Sequence, residues 1–291
     1  MAIYNLGSVN IDHVYRVPHL PEPGETLASH SFNSGLGGKG ANQSIAVARA
    51  GGQVFHIGAI GADGEWLREL MADTGVDMRY LAVADVPTGH AIINVDDAAE
   101  NVIVLFSGAN FALTEAQIDE ALGAAGPDDW LLFQNETSLG IYAAAAAKAK
   151  GMRVAYAAAP FDADAALAML PVTDLLAVNE IEATQLSQAL GVDASDLPVA
   201  QVLITRGSEG ATLQAGGEVL TVDAFKVEPV DTTGAGDTFL GYFLAAIDLG
   251  LAPIDALKRA SAASALQVMK PGAAVAIPTL AEVEIFLKAR A

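Results

Sequence analysis

Apolar positions along this chain follow two periods in alternation. Short runs of branched and aromatic residues at 3–9, 54–60, 78–84, 130–134, 153–157, 175–178 and 201–205 read as strands. Stretches at 44–50, 64–73, 114–122, 139–150, 163–169 and 180–190 carry helical spacing or helix-forming residues. This βα alternation is the signature of a doubly wound, mostly parallel sheet. Two segments interrupt it. Residues 13–34 have no helical period, carry the turn PEPGE, and read as short strands off the main sheet. Residues 88–95 and 101–106 are β-rich and joined by polar residues 96–100, which predicts a hairpin. The two segments are expected to form one small, discontinuous sheet over about 13–34 and 88–107. The chain closes with predicted helices at 238–249, 253–269 and 280–289. With no internal repeat, linker or clean boundary, residues 1–291 read as one domain carrying the small sheet as a lid.

Composition narrows the function. The formal net charge is −20, which argues against non-specific nucleic-acid binding. A nucleotide remains accessible through backbone N–H groups, Mg²⁺ and a few local cations. There is no cysteine, so disulfides, thiolate nucleophiles and cysteine zinc sites are excluded. The five histidines show no metal-ligand spacing. No apolar run reaches the ~18 residues of a membrane span, and the first residues lack the pattern of a signal peptide. The expected location is the cytoplasm.

The most informative stretch is VDTTGAGDTFL at 230–240. Gly234, Ala235 and Gly236 form a small-residue turn at the start of a helix. Such a turn exposes backbone N–H groups to an anion, and the helix dipole adds to the effect. Asp237 follows at once, placed to take a proton from an attacking hydroxyl. The plainer alternative is a strand-to-helix turn with Asp237 as a cap. A second Gly-rich stretch, 35–43, also opens a helix and offers Lys39 and Asn42. It does not fit a dinucleotide fingerprint, because it follows residues 13–34 rather than the first strand and lacks the later acidic residue. The P-loop spacing is absent as well. Asn10 and Asp12 lie two apart at the exit of the first strand, either for a hydroxyl-rich ligand or as an Asx turn. Glu136, the group Asn179, Glu180 and Glu182, and residues 205–210 all follow strands, where α/β sheets bind ligands. Asn179 also reads as a helix N-cap, and Arg206 with Gly207 as an ordinary turn.

Two motifs, GGKGAN at 37–42 and DTTGAGD at 231–237, together with their order and separation, resemble the ribokinase-like sugar kinases, or PfkB family. The resemblance covers essentially the whole chain and is strongest to the kinases of D-ribose. It implies a three-layer α/β/α sandwich with a mostly parallel central sheet and a small β-sheet lid. The implied activity is ATP-dependent phosphorylation of a small sugar, best D-ribose at its 5-hydroxyl. Alternatives are another sugar or a nucleoside on the same scaffold, or a catalytically silent sugar-binding protein. The resemblance makes Asp237 the base and Gly234, Ala235 and Gly236 the anion hole. It assigns the sugar to Asn10, Asp12, Gly38, Lys39, Asn42 and Glu136. It assigns the nucleotide to Asn179, Thr205, Gly207, Gly210 and Ser261, and Mg²⁺, through water, to Glu182. It also implies a monovalent cation, K⁺, at Asp231, Thr233, Gln267, Lys270, Gly272 and Ala276, although a hydroxyl-bearing residue is expected where Ala276 stands. Lys270 is expected either to be solvated or to place its ammonium where the ion would be. A homodimer through the lid is the expected assembly.

Overall fold

A computed structural model describes residues 1–98, 100–193 and 196–290. Ala99, within the predicted hairpin loop, and Ala291 lie outside the described residues. The first strand, β1 (Ala2–Leu6), is buried along its whole length. On either side lie β4 (Gln53–Gly61) and β8 (Trp130–Gln134), both parallel to it. Beyond β4 is β5 (Asp77–Ala84). Beyond β8 follow β9 (Arg153–Ala157), β10 (Leu175–Asn179) and β11 (Gln201–Thr205), again parallel. An antiparallel hairpin, β12 (Ala211–Ala215) and β13 (Glu218–Val222), completes this edge. Among the described residues the sheet has nine strands in the order β13-β12-β11-β10-β9-β8-β1-β4-β5.

Both faces of the sheet are covered, which is why its strands read as near-continuous apolar runs rather than alternating ones. On one face pack α1 (Lys39–Arg49), α2 (Glu65–Ala72), α7 (Ala235–Asp248), α8 (Pro253–Val268) and α9 (Leu280–Lys288). On the other pack α3 (Glu115–Leu122), α4 (Gly140–Ala149), α5 (Ala163–Met169) and α6 (Glu180–Leu190). Within β1 the two faces separate cleanly: Ile3 joins the first core, while Ala2, Tyr4 and Leu6 join the second. No described helix is long and apolar enough to cross a membrane.

The small sheet forms from both predicted segments. Its order is β3-β2-β6-β7, built from β2 (Asn10–Arg16), β3 (Ser31–Gly37), β6 (Gly89–Val95) and β7 (Asn101–Phe106). The strands of the first segment begin earlier and end later than expected, so Asn10 and Asp12 belong to this sheet rather than to a loop. The register places Ile11, His13 and Tyr15 on one face and Asn10, Asp12 and Val14 on the other.

Candidate functional site

The start of α1 presses onto the exit of β1. A Cβ on Gly40 would stand 2.3 Å from Gly7 Cα, so neither glycine tolerates a side chain. Helix α7 packs equally close from the other side. A Cβ on Gly241 would lie 2.5 Å from Ala46 Cβ and 2.8 Å from the Gln43 carbonyl. This double approach brings two side chains of α1 to the first turn of α7. Asn42 Nδ2 donates to one oxygen of Asp237 at 3.0 Å, and Gln43 Nε2 to the other at 2.8 Å.

Asp237 is 9% exposed. Burial raises its pKa, and Glu136 adds to the rise, while Lys39 and the Asn42 and Gln43 donors oppose it. Gly234 precedes α7 in the left-handed region, with φ of 77°. The N–H groups of the first turn lack intrahelical acceptors. That of Ala235 is held by the Thr232 carbonyl at 3.2 Å.

The orientation of Gln43 is fixed by a buried polar chain beneath the sheet exit. Gln134 Nε2 donates to Gln43 Oε1 at 2.7 Å and to Asn5 Oδ1 at 2.9 Å. Asn5 Nδ2 donates to Ser44 Oγ at 2.8 Å and to the Gly40 carbonyl at 2.9 Å. Ser44 then meets His56 Nδ1 at 2.9 Å. Burial holds His56 neutral, with its pKa down to about 4. Asn5 Nδ2 faces the Gly40 carbonyl and Gln43 Nε2 the Asp237 carboxylate, which gives each amide in the chain one orientation.

A second group of polar residues lies at the small sheet. Asn110 Nδ2 donates to Asn10 Oδ1 at 2.7 Å, and Asn110 Oδ1 accepts from the Val9 amide at 2.9 Å. Asp12 is half-buried over Gly37, and burial with nearby Glu136 pushes its carboxyl up to about 6. Glu136 Oε2 accepts from Ser8 Oγ and from the Lys39 amide. Burial works against the Lys39 ammonium, but Asp237, Glu136 and Glu182 outweigh it and raise its pKa.

From Asp237 a cleft runs to the far side of α7. A cavity of about 180 Å³ is lined by Lys39, Asn179, Glu182, Thr205, Gly234 and Asp237. A cavity of about 470 Å³ is lined by Thr205, Gly207, Gly210, Phe225 and Ser261. Both include Thr205, Thr232, Ala235 and Gly236, so they are continuous. Asn179 and Glu182 form a capping box on α6: each side chain bonds the other's backbone N–H, at 2.9 and 2.7 Å. The helix-cap reading of Asn179 therefore holds, and the same residue also lines the cleft.

The sequence matches the pfkB family carbohydrate kinases over residues 3–280. This chain belongs to that family. It is 37% identical over 300 residues to the ribokinase of Haemophilus influenzae, covering 97% of each chain. It is 34% identical to the ribokinase of Staphylococcus aureus, covering 96% of this chain and 97% of that one. The crystal structure of Thermotoga maritima ribokinase matches with a TM-score of 0.89 at 33% identity and 99% coverage of both chains. Arabidopsis thaliana ribokinase, solved with ribose and ATP, matches with a TM-score of 0.86 at 31% identity, covering 99% of this chain and 98% of that one. The expected ribokinase-like fold is present.

The pfkB resemblance also singled out the loop after α8. Asp231 accepts from the Thr233 and Gly272 amides, both at 2.9 Å. Lys270, about half exposed, pairs with Glu282 at 3.2 Å. Of the two expectations for its ammonium, that pairing fits the surface one. Ala276 is buried and offers no side-chain oxygen.

Gln43, Gln134, Asn5, Ser8 and Asn110 carry no role in the sequence reading, yet they hold the proposed base and sugar ligands in place. Gln43 sits next to Asn42 in the same motif, but its contact depends on how closely α1 and α7 approach. Gly241 is the one local sign of that approach.

Proposed function

We propose that this chain transfers the γ-phosphoryl group of ATP to the 5-hydroxyl of D-ribose. The observation that carries the reading is the placement of Asp237. It lies in the first turn of α7, where the cleft meets α1 and Lys39. Asp237 takes the hydroxyl proton, the freed oxygen attacks the γ-phosphorus, and ADP leaves. Gly234, Ala235 and Gly236 present the positive end of α7 to the transferring phosphoryl group, and Lys39 adds a cation. In this reading Asn10, Asp12, Gly38, Lys39, Asn42 and Glu136 hold the sugar. Asn179, Thr205, Gly207, Gly210 and Ser261 hold the nucleotide.

No cluster of three metal-ligating side chains exists among the described residues. A Mg²⁺ ion would be held by nucleotide phosphates and, through water, by Glu182. When bound, the ion neutralises phosphate charge. Glu182 suits the role because it lines the cleft and commits Oε2 to the Asn179 amide. The reading is tested by coupled ADP release over ribose, deoxyribose, fructose and adenosine. Ribose should give the highest kcat/KM, and a preference for another acceptor would replace ribose as the assignment.

Gln43 serves as a positioning residue for Asp237. Gln43→Leu removes one of the two N–H donors to the carboxylate, so the anion is less supported and its pKa rises further. The acid limb of the single-turnover rate, at saturating sugar and ATP, should move to higher pH. The rate at neutral pH should fall about tenfold, the worth of one hydrogen bond to a charged group. A slower variant with an unmoved limb would assign Gln43 a packing role only.

The small sheet acts as the lid and pairs two copies. The face opposite Asp12 carries Tyr15, Phe32, Val102, Val104 and Phe106, and the last four are exposed. Among the described residues β7 is also an unpaired edge, which proteins usually cover. Sedimentation should give a dimer for the wild type and a monomer for Val104→Glu. A wild type that is monomeric at micromolar concentration refutes the pairing.

A further inference from the structure

Gln267 lies near the end of α8 and is fully buried. Its Nε2 donates to the Thr233 carbonyl at 2.6 Å and lies 3.5 Å from the Gly272 carbonyl. Thr233 and Gly272 are two of the positions that the family resemblance gives to a monovalent cation. The Gln267 nitrogen thus stands between the two carbonyls, in the space that an ion bound to both would need. Each Asp231 carboxylate oxygen accepts from one backbone amide, which fixes the carboxylate without exhausting it. Ala276 has no hydroxyl, and the Lys270 ammonium is held on Glu282. Among the described residues Gln267 Oε1 is buried without a hydrogen-bond partner, but with Nε2 between the two carbonyls and no hydroxyl at Ala276 the residues present do not fit the ion.

We propose that the side-chain amide of Gln267 takes the place of the monovalent cation in this chain. A covalently tethered donor fixes the Thr233 carbonyl and hence the turn that leads into Gly234 and α7. The consequence is a kinase that needs no K⁺. The amide can in principle turn over. Oε1 would then face the Thr233 carbonyl, acceptor against acceptor, and the contact would be repulsive unless a cation lay between them. That arrangement predicts the opposite behaviour, so one experiment separates the two.

The inference rests on the kinase reading only through its rate assay, so a second readout is paired with it. Rates and thermal midpoints are measured at fixed ionic strength, exchanging K⁺ for tetramethylammonium. The wild type should respond to neither exchange. Gln267→Ala opens the space and removes the donor. Its rate in tetramethylammonium should fall about tenfold, as for a lost buried hydrogen bond. K⁺ should restore the rate and raise the midpoint. Gln267→Leu fills the space without a donor and should fall without rescue. Activation or stabilisation of the wild type by K⁺ overturns the proposal, and so does an Ala variant that K⁺ leaves unrestored. If the Ala variant does not fold, the wild-type measurements decide alone. Failure to phosphorylate any sugar in either salt would overturn the kinase reading, and the thermal midpoints would still decide the question of the cation.

Discussion

Asp237→Asn is expected to lower kcat by about 10²–10⁴ while sugar and ATP still bind. The size follows from the loss of the base at the reacting hydroxyl. It is reinforced by what an amide does at this position. Asn42 and Gln43 both present N–H groups to the carboxylate. An asparagine accepts only one of them and turns its own N–H₂ toward the other. The Gln134–Gln43 bond prevents Gln43 from turning over to compensate. Calorimetry on the purified variant shows whether the site is intact, and stopped-flow transfer shows whether chemistry is lost. Turnover within tenfold of the wild type, with binding preserved, would remove Asp237 from the role of base.

Asp12→Ala should raise the KM for sugar tenfold or more and leave that for ATP near the wild type. Charge-assisted hydrogen bonds of the kind Asp12 would give to sugar hydroxyls are worth about 1.5–3 kcal/mol each. Equal losses for both substrates would show a general disruption instead. The wild type should show the same dependence through pH. The Asp12 carboxyl titrates at about 6, above its ordinary 3.8. Sugar hydroxyls donate to the anion, so binding is strong above that value and weakens as the pH falls through it. Stability runs the other way. A carboxyl with a raised folded pKa contributes stability that is fully present below 3.8 and lost as the pH rises through about 6. Asp12→Asn should therefore bind sugar poorly and yet melt higher than the ligand-free wild type at neutral pH. A midpoint that does not rise would show that burial of the charge carries little strain.

The parallel strands and their helices are legible in the sequence because both faces of the sheet are packed. Strands β8, β9 and β11 and helices α5 and α6 have the bounds that their apolar runs predict. The hairpin β12–β13 is not assigned from sequence. Its strands lie at the sheet edge and carry polar positions such as Thr212 and Gln214, so no apolar run marks them. Its sign is Gly216 and Gly217, both at positive φ as a two-residue hairpin turn requires. Site residues that act through backbone or motif are readable, as Gly234 and Asp237 are. Residues that act through a neighbour are not. Gln43 and Asn110 gain meaning only from side chains 194 and 100 positions away. Gln267 is a further case: the resemblance assigns its position a cation, and only the structure shows where its amide points.

The proposed contacts divide along the chain. Those for the sugar span Asn10 to Glu136, while those for the nucleotide and Mg²⁺ span Asn179 to Ser261. The two sets meet where Asn42 and Gln43 touch Asp237. On this proposed assignment, acceptor and donor recognition lie in separate halves of one gene product, with Lys39 reaching from the first half to the phosphoryl group. Mutations accumulating in the first half can change which alcohol is accepted while the triphosphate machinery is inherited intact. On this layout, descendants of one ancestral kinase can diverge in diet before they diverge in chemistry.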